Sequence, residues 1–195
     1  AAETVALARA TAPDPAAGLP EDGFAGDLPD LGLFAAEDRD VAVEARIEEA
    51  RRAEAAARAL DPRIANSEGS QVGSGFRRTT YANSAGFAGS YESASHSLFC
   101  EPLAREGEAM QRDFWMTAAR RLAALEDAAA VGRCAARRAL RRLGARPVPT
   151  CEVPVLFEPI VARSLLGQLA ACVSGAAVYR DASFLKDRIG DRIAS

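Results

Sequence analysis

The sequence predicts an α+β fold, an antiparallel β-meander flanked by helices, and three observations carry that prediction. In the stretch 63–118, Gly, Ser, Thr, Asn and aromatic residues dominate and no helical period survives for more than a few residues. Within it Ala94, His96, Leu98 and Cys100 alternate with Tyr91, Ser93, Ser95, Ser97 and Phe99, which places the two sets on opposite faces of a strand. On either side, apolar residues recur at steps of three and four, the period of a helix packed on one face. The Ser-rich strand face is unusual for a face meant to lie under helices. Such a face is either wet or close to another backbone.

In chain order, residues 1–12 fit the tail of a helix that Pro13 ends. A loop rich in Pro, Gly and Asp follows to Asp38, with Leu28, Leu31, Leu33 and Phe34 as its expected anchors. Asp38 or Asp40 is the expected cap of a helix reaching about Leu60, with a core stripe of Val43, Ile47, Ala50, Ala53, Ala57 and Leu60. Glu44 and Glu48 stand where they can pair with Arg51 and Arg52 along its outer side. Asp61-Pro62 stops this helix and starts the meander, read as three or four strands. Its turns are expected at Asn83-Ser84-Ala85-Gly86 and Ala104-Arg105-Glu106-Gly107. Thr117 to Leu125 reads as a short helical turn. Glu126-Asp127 then opens a helix from about Ala128 to Leu143, closed by Gly144, with Val131, Ala135, Ala139 and Leu143 as its stripe. Its other side carries Arg133, Arg137, Arg138, Arg141 and Arg142, read as a solvated face. Beyond the Pro147–Pro149 connector, Glu152 to Phe157 reads as a buried edge strand and Ile160 to about Val178 as a strongly apolar helix. Ser164, Gly167, Ser174 and Gly175 in that helix leave room for another backbone to approach.

Composition bounds the function. With 195 residues, 49% of them apolar but only 6% aromatic, the core must come largely from alanine-rich helix contacts. A net charge of −3 gives no reason to expect nucleic acid as the main partner, and the arginine helix carries neither a helix-turn-helix pattern nor interleaved aromatics. Cys100, Cys134, Cys151 and Cys172 show no C-x-x-C spacing, which points to a reducing cytoplasm with buried or inert thiols. No apolar run approaches the roughly 20 residues of a membrane span. The chain starts at Ala1 inside a helical pattern and stops at Ser195 in mid-pattern, so a piece of a longer two-domain protein is expected. Residues 1–150 would be the remainder of an N-terminal α+β domain and 151–195 the start of a C-terminal one.

The lone histidine, His96, lies among apolar neighbours with no ligand at metal spacing, and reads as structural. Gly73-Ser74-Gly75 lacks the third glycine of a dinucleotide loop, and no serine sits in a G-x-S-x-G elbow. A serine nucleophile working with His96 is conceivable only on paper. Residue types alone thus indicate an α+β domain without a self-contained active site.

Six segments together resemble the TldD/PmbA family, bacterial proteins once called modulators of DNA gyrase. They are RIANSEGSQV (63–72), ANSAGFAGSYESASHSL (82–98), GEAMQRDFW (107–115) with ARRLAALEDAAAVGRCAARRAL (119–140), VPVLFEPIVARSLLGQL (153–169) and SGAAVYRDASFLKDRIGDRI (174–193). The resemblance implies a cytoplasmic metallopeptidase system in which TldD-type subunits carry a His-Glu-x-x-x-His zinc motif. Aligned on Leu165-Leu166, that motif falls on Gly167, Gln168 and Cys172. Gly has no ligand atom, Gln is no general base, and a lone Cys makes no site. The chain therefore resembles the PmbA (TldE) branch, a subunit that binds no cofactor itself and pairs with a zinc-bearing TldD-type subunit around unfolded or extended peptides. Ser93, Ser95 and Ser97 are the candidate substrate-binding residues, with packing on the other subunit's sheet as the alternative. Gln111, Arg112 and Asp113 read as a structural salt-bridge turn rather than cavity lining. Two rival readings are a peptidase with ligands from the C-terminal part and a DNA gyrase-modulating binding protein.

Overall fold

The computed structural model describes residues 2–12, 18 and 29–193, so the expected anchor Leu28 lies outside the described residues. Contacts divide the chain into two compact units, Ala1–Arg146 and Pro147–Ser195.

The first unit is built on one long hairpin. β1 (Ile64–Ala82) and β2 (Ala88–Glu106) are 19 residues each, roughly 60 Å at the rise of a strand. Two shorter strands, β3 (Ala109–Arg112) and β4 (Trp115–Ala119), both pair with β2 and complete a four-stranded antiparallel sheet. The first turn falls where Asn83 predicts it: its side-chain oxygen accepts the N–H groups of Ala85 and Phe87. The second lies later than expected, because β2 stays paired through Glu106 and the chain reverses at Gly107–Glu108. β1 is irregular near its start, where Gly69 (φ 120°) occupies a bulge opposite Glu101 that a residue with a Cβ rarely adopts. Thr117–Ala119, expected to begin a helical turn, instead complete the strand that starts at Trp115 within the meander. Pairing with His96–Cys100 outweighs the helix preference of its alanines, and only Leu122–Ala124 forms a 3-10 turn.

One helix α1 (Ala2–Ala10) is exposed throughout. Two others, α2 (Val43–Arg58) and α3 (Ala128–Arg141), cover the sheet face that carries Leu98, Cys100 and Ala104. The core is alanine-rich, as the composition requires: Ala53, Ala57, Ala128, Ala135, Ala136 and Ala139 surround Val131, Ile64 and Leu98. Small side chains let α2 and α3 come almost into backbone contact. A Cβ on Gly132 would stand 1.9 Å from the carbonyl oxygen of Ala53. Asp127 caps α3 by accepting from Ala130 N at 2.9 Å and also binds Arg52 of α2 at 2.9 Å, so one carboxylate fixes both helices.

Several expectations for α2 need correction. Neither Asp38 nor Asp40 caps it; Ala42 precedes it without a side-chain cap, because Asp38 is buried in a 3-10 turn (Ala36–Arg39) and its carboxylate is used elsewhere. Val43 and Ile47 are exposed, so the buried stripe narrows to Ala53 and Ala57, the turns that face α3. Glu48 and Glu49 pair at i,i+3, with Arg51 at 3.9 Å and Arg52 at 2.7 Å, and the i,i+4 pair falls further along, between Glu54 and Arg58 at 3.3 Å. In the preceding segment Leu33 and Phe34 are half-buried as expected, whereas Leu31 is 69% exposed.

The second unit contains α4 (Pro159–Cys172) and α5 (Gly175–Tyr179). Residues 152–157 form no strand. Val153, Val155 and Phe157 are exposed and Leu156 is 99% exposed, since an apolar run becomes a buried strand only when paired with another strand, and no described residue pairs with this one. The expected long helix is broken at Val173-Ser174. Ser174 takes an extended conformation and its hydroxyl accepts the N–H of Ala177, capping a separate short helix. Among the described residues no helix is long and apolar enough to cross a membrane.

Candidate functional site

The two faces of the hairpin differ as the alternation predicts. Ala94, His96, Leu98 and Cys100 are buried, while Ser93, Ser95 and Ser97 lie on the opposite, accessible face. Register adds what periodicity could not: Ser97 stands opposite Gly73 and Ser95 opposite Gly75. A Cβ at Gly73 would come within 3.1 Å of the Ser97 hydroxyl, and one at Gly75 within 3.3 Å of the Ser95 hydroxyl. The serines therefore lean over bare glycine backbone, making a low platform that Ala118 of β4 continues beside Ser97. Among the described residues β1 pairs only with β2, so its outer backbone edge is open along the platform. At one end the platform deepens into a groove of about 380 Å³ lined by Gly75, Arg77, Tyr91, Ser93, Ser95 and Arg120. Arg120 donates to Ala94 O at 2.9 Å across the end of β4, and Arg77 projects from β1 opposite Ser93.

On the buried face, the structure gathers three residues that the sequence separates widely. Ser74 Oγ lies 2.9 Å from His96 Nδ1, and His96 Nε2 lies 3.3 Å from Asp38 Oδ2, off the line of a good hydrogen bond. The same Asp38 oxygen accepts the N–H of Leu122 at 3.1 Å. Phe76 packs edge-on against the imidazole, and Arg39 lies over the Phe34 and Phe76 rings. The residue types are those of a hydrolase triad. The geometry is not: His96 is 1% exposed, too buried to meet a substrate, so the cluster clamps the 29–39 segment and the Leu122 turn to the sheet. Sequence reading identified His96 as structural but missed both partners. The available signal was the hairpin register, which sets Ser74 directly opposite His96.

The remaining candidates separate as well. Asp113 is nearly buried, 3.3 Å from Arg138 and 3.6 Å from Arg142, and Arg138 also covers the Trp115 ring at 5.5 Å. The arginine face of α3 is thus not wholly solvated: Arg138 joins the sheet to the helix. Gln111 and Arg112, by contrast, line a groove of about 440 Å³ with Glu68 and Leu103. Cys100 is sealed in the core, and burial, with the Glu54 charge, pushes its thiol up to about 11, so it is no nucleophile near neutrality.

Gly167 and Gln168 are exposed on α4, with open space around Gly167, and Cys172 ends the helix with its carbonyl accepting the Ser183 hydroxyl at 2.6 Å. No group of three or more His, Cys, Asp or Glu side chains suited to a metal occurs among the described residues. A position without a side chain, an amide and one thiol do not fit a zinc ion.

Comparison with known proteins agrees with this architecture. Residues 36–143 match the PmbA/TldA metallopeptidase central domain and residues 150–195 the PmbA/TldA metallopeptidase C-terminal domain. The chain is 39% identical to the metalloprotease PmbA of Escherichia coli O157:H7 over 96% of its own length and 41% of that protein's. It is 37% identical to the PmbA homologue of Haemophilus influenzae over 97% of its length and 42% of that protein's. It therefore spans about two-fifths of these relatives. Among solved structures, TldE from Thermococcus kodakarensis superposes with a TM-score of 0.81 at 23% identity, over 100% of this chain and 43% of the other. A Thermotoga maritima protein named for DNA gyrase modulation gives 0.80 at 19% identity, over 88% of this chain and 39% of that one. At such identities the likeness is one of fold. With the central-domain match covering more than half of its residues, the chain belongs to the PmbA/TldD metallopeptidase family.

Proposed function

We propose that this chain is the non-catalytic subunit of a cytoplasmic PmbA/TldD-type zinc metallopeptidase, and that with a TldD-type partner it encloses unfolded or extended peptides. The observation that carries this reading is the donor set at the motif positions: Gly167, Gln168 and Cys172 on α4 cannot hold a zinc ion or activate a water. Zinc, when held by the TldD-type partner, would polarise the peptide carbonyl and supply the attacking hydroxide. This chain's part is to hold substrate.

The sheet supports that role. An open β1 edge offers main-chain donors and acceptors that a peptide of any sequence satisfies, giving affinity without selectivity. The Gly/Ser platform beside it leaves room for whatever side chains the peptide carries.

The test is zinc content and peptidase activity of the full-length protein, alone and with a TldD-type subunit from the same genome. No zinc alone, with hydrolysis only in the mixture, is the expected result. One zinc per chain and unaided cleavage would instead place the ligands outside residues 1–195 and make this chain a peptidase in its own right. Tight, salt-dependent binding of duplex DNA would favour the gyrase-modulating reading.

A further inference from the structure

The groove at the end of the platform has a charge that peptide holding alone does not require. Arg77 and Arg120 both line it, and no Asp or Glu does. Among the described residues neither arginine has an acidic partner; Arg120 gives one N–H to Ala94 O and keeps its other donors. Nearby acidic charge is already engaged, since Glu92 pairs with Arg39 at 2.9 Å from the other face of β2. Two guanidinium groups bordering one concavity without a counter-charge make a site of positive potential. The floor of Gly75, Ser93 and Ser95 adds hydroxyl donors and no bulk, and Tyr91 bounds it with a half-exposed ring.

We infer that this groove takes a carboxylate, the side chain of an Asp or Glu within an extended peptide passing over the platform. The inference rests on the peptide-holding role proposed above and adds a substrate class to it: peptides with an internal acidic residue. A guanidinium offers paired N–H donors that match the two oxygens of a carboxylate, which a neutral amide cannot reproduce. An internal side chain fits better than a chain end because β1 and β2 run on past the groove to Ala82 and Ala88, so the sheet does not stop a chain there. A nucleic-acid phosphate is disfavoured by the net charge of −3.

The test is fluorescence anisotropy with the full-length protein, without its partner so that nothing is cleaved. Three fluorescein-labelled peptides of one backbone sequence are compared. The first has a single internal Glu and an amidated C-terminus, the second has Gln in its place, and the third has the Gln with a free C-terminal carboxylate. The Glu peptide is expected to bind about tenfold more tightly than the amidated Gln peptide, the order of one charge-assisted pair. Arg77→Gln should abolish that preference and leave the Gln peptide's affinity unchanged. Arg78→Gln, one residue along and on the opposite face, should leave both unchanged. Arg120→Lys, which retains a donor toward Ala94, should weaken the preference without unfolding the protein.

Equal binding of the Glu and Gln peptides would overturn the acidic preference while leaving peptide holding intact. Tight binding of the free-terminus peptide, lost in Arg77→Gln, would reassign the groove to chain ends and overturn the internal-residue inference. An oligonucleotide that binds more tightly than any peptide and is lost in Arg77→Gln would overturn it in favour of nucleic acid. Failure of every peptide to bind would remove the peptide-holding role and this inference together.

Discussion

Asp38 shows how much one side chain can hold in this protein. Its carboxylate accepts the Leu122 N–H and faces His96 inside a sealed cluster, so Asp38→Ala leaves the part-buried Leu122 N–H without its acceptor and empties the space beside the imidazole. A loss of about 2 kcal/mol is expected from urea unfolding, the usual cost of an orphaned buried polar group. Asp127 acts at the surface instead. The Ala130 N–H first, then the Arg52 and Arg133 charges, hold its carboxyl below its ordinary 3.8. Its contribution is therefore complete above that value and fades as pH falls through the lower folded one. Asp127→Asn should flatten the acid limb of a stability–pH profile measured below about pH 4. Cysteine reactivity divides by burial: exposed Cys151 should alkylate readily in the native protein at neutral pH, and Cys100 should do so only on unfolding.

Among the elements, α2, α3 and α4 set two glycines in opposite situations. Gly132 in α3 faces the α2 backbone so closely that alanine cannot fit without parting the helices. Alanine is the better helix former by about 1 kcal/mol, yet Gly132→Ala should destabilise by about 3 kcal/mol, because the clash is with backbone that cannot rotate away. Gly167 in α4 has open space around it, so Gly167→Ala should stabilise the helix by about 0.5–1 kcal/mol. Thermal melts of the two variants should shift in opposite directions. The hairpin teaches a different lesson: its alternation was legible along β2 alone, but the pairing of Ser95 and Ser97 with Gly75 and Gly73 is a property of two strands in register.

For the molecule as a whole, the two compact units carry their apolar residues differently. The first buries its alanines, Val131 and Leu98 between sheet and helices. In the second, Val155, Leu156, Leu165, Leu166, Phe184 and Ile189 are exposed. Apolar surface gathered in so short a segment needs cover. Residues 147–195 added to the first unit should therefore bind the dye ANS strongly, and the full-length protein should not. Equal, weak ANS fluorescence from both would show that these residues rearrange to cover themselves.

The sequence by itself determined the α+β class, the hairpin and its Asn83 turn, the alanine-packed helices, the buried row of β2 and the family. Each is written in local periodicity, turn chemistry or a run of matched segments. It did not reveal that Thr117–Ala119 would continue the meander as a strand instead of turning helical, that Glu152–Phe157 would form no strand, or that Val43 and Ile47 would face solvent. Those outcomes depend on whether a neighbouring strand or helix is present, which no local pattern encodes. Only the tertiary structure brought Asp38 to Ser74 and His96, and Arg77 to Arg120, across gaps of many residues. Such sites are made by register and by chain return, and their chemistry comes into being only when distant backbone is folded into contact.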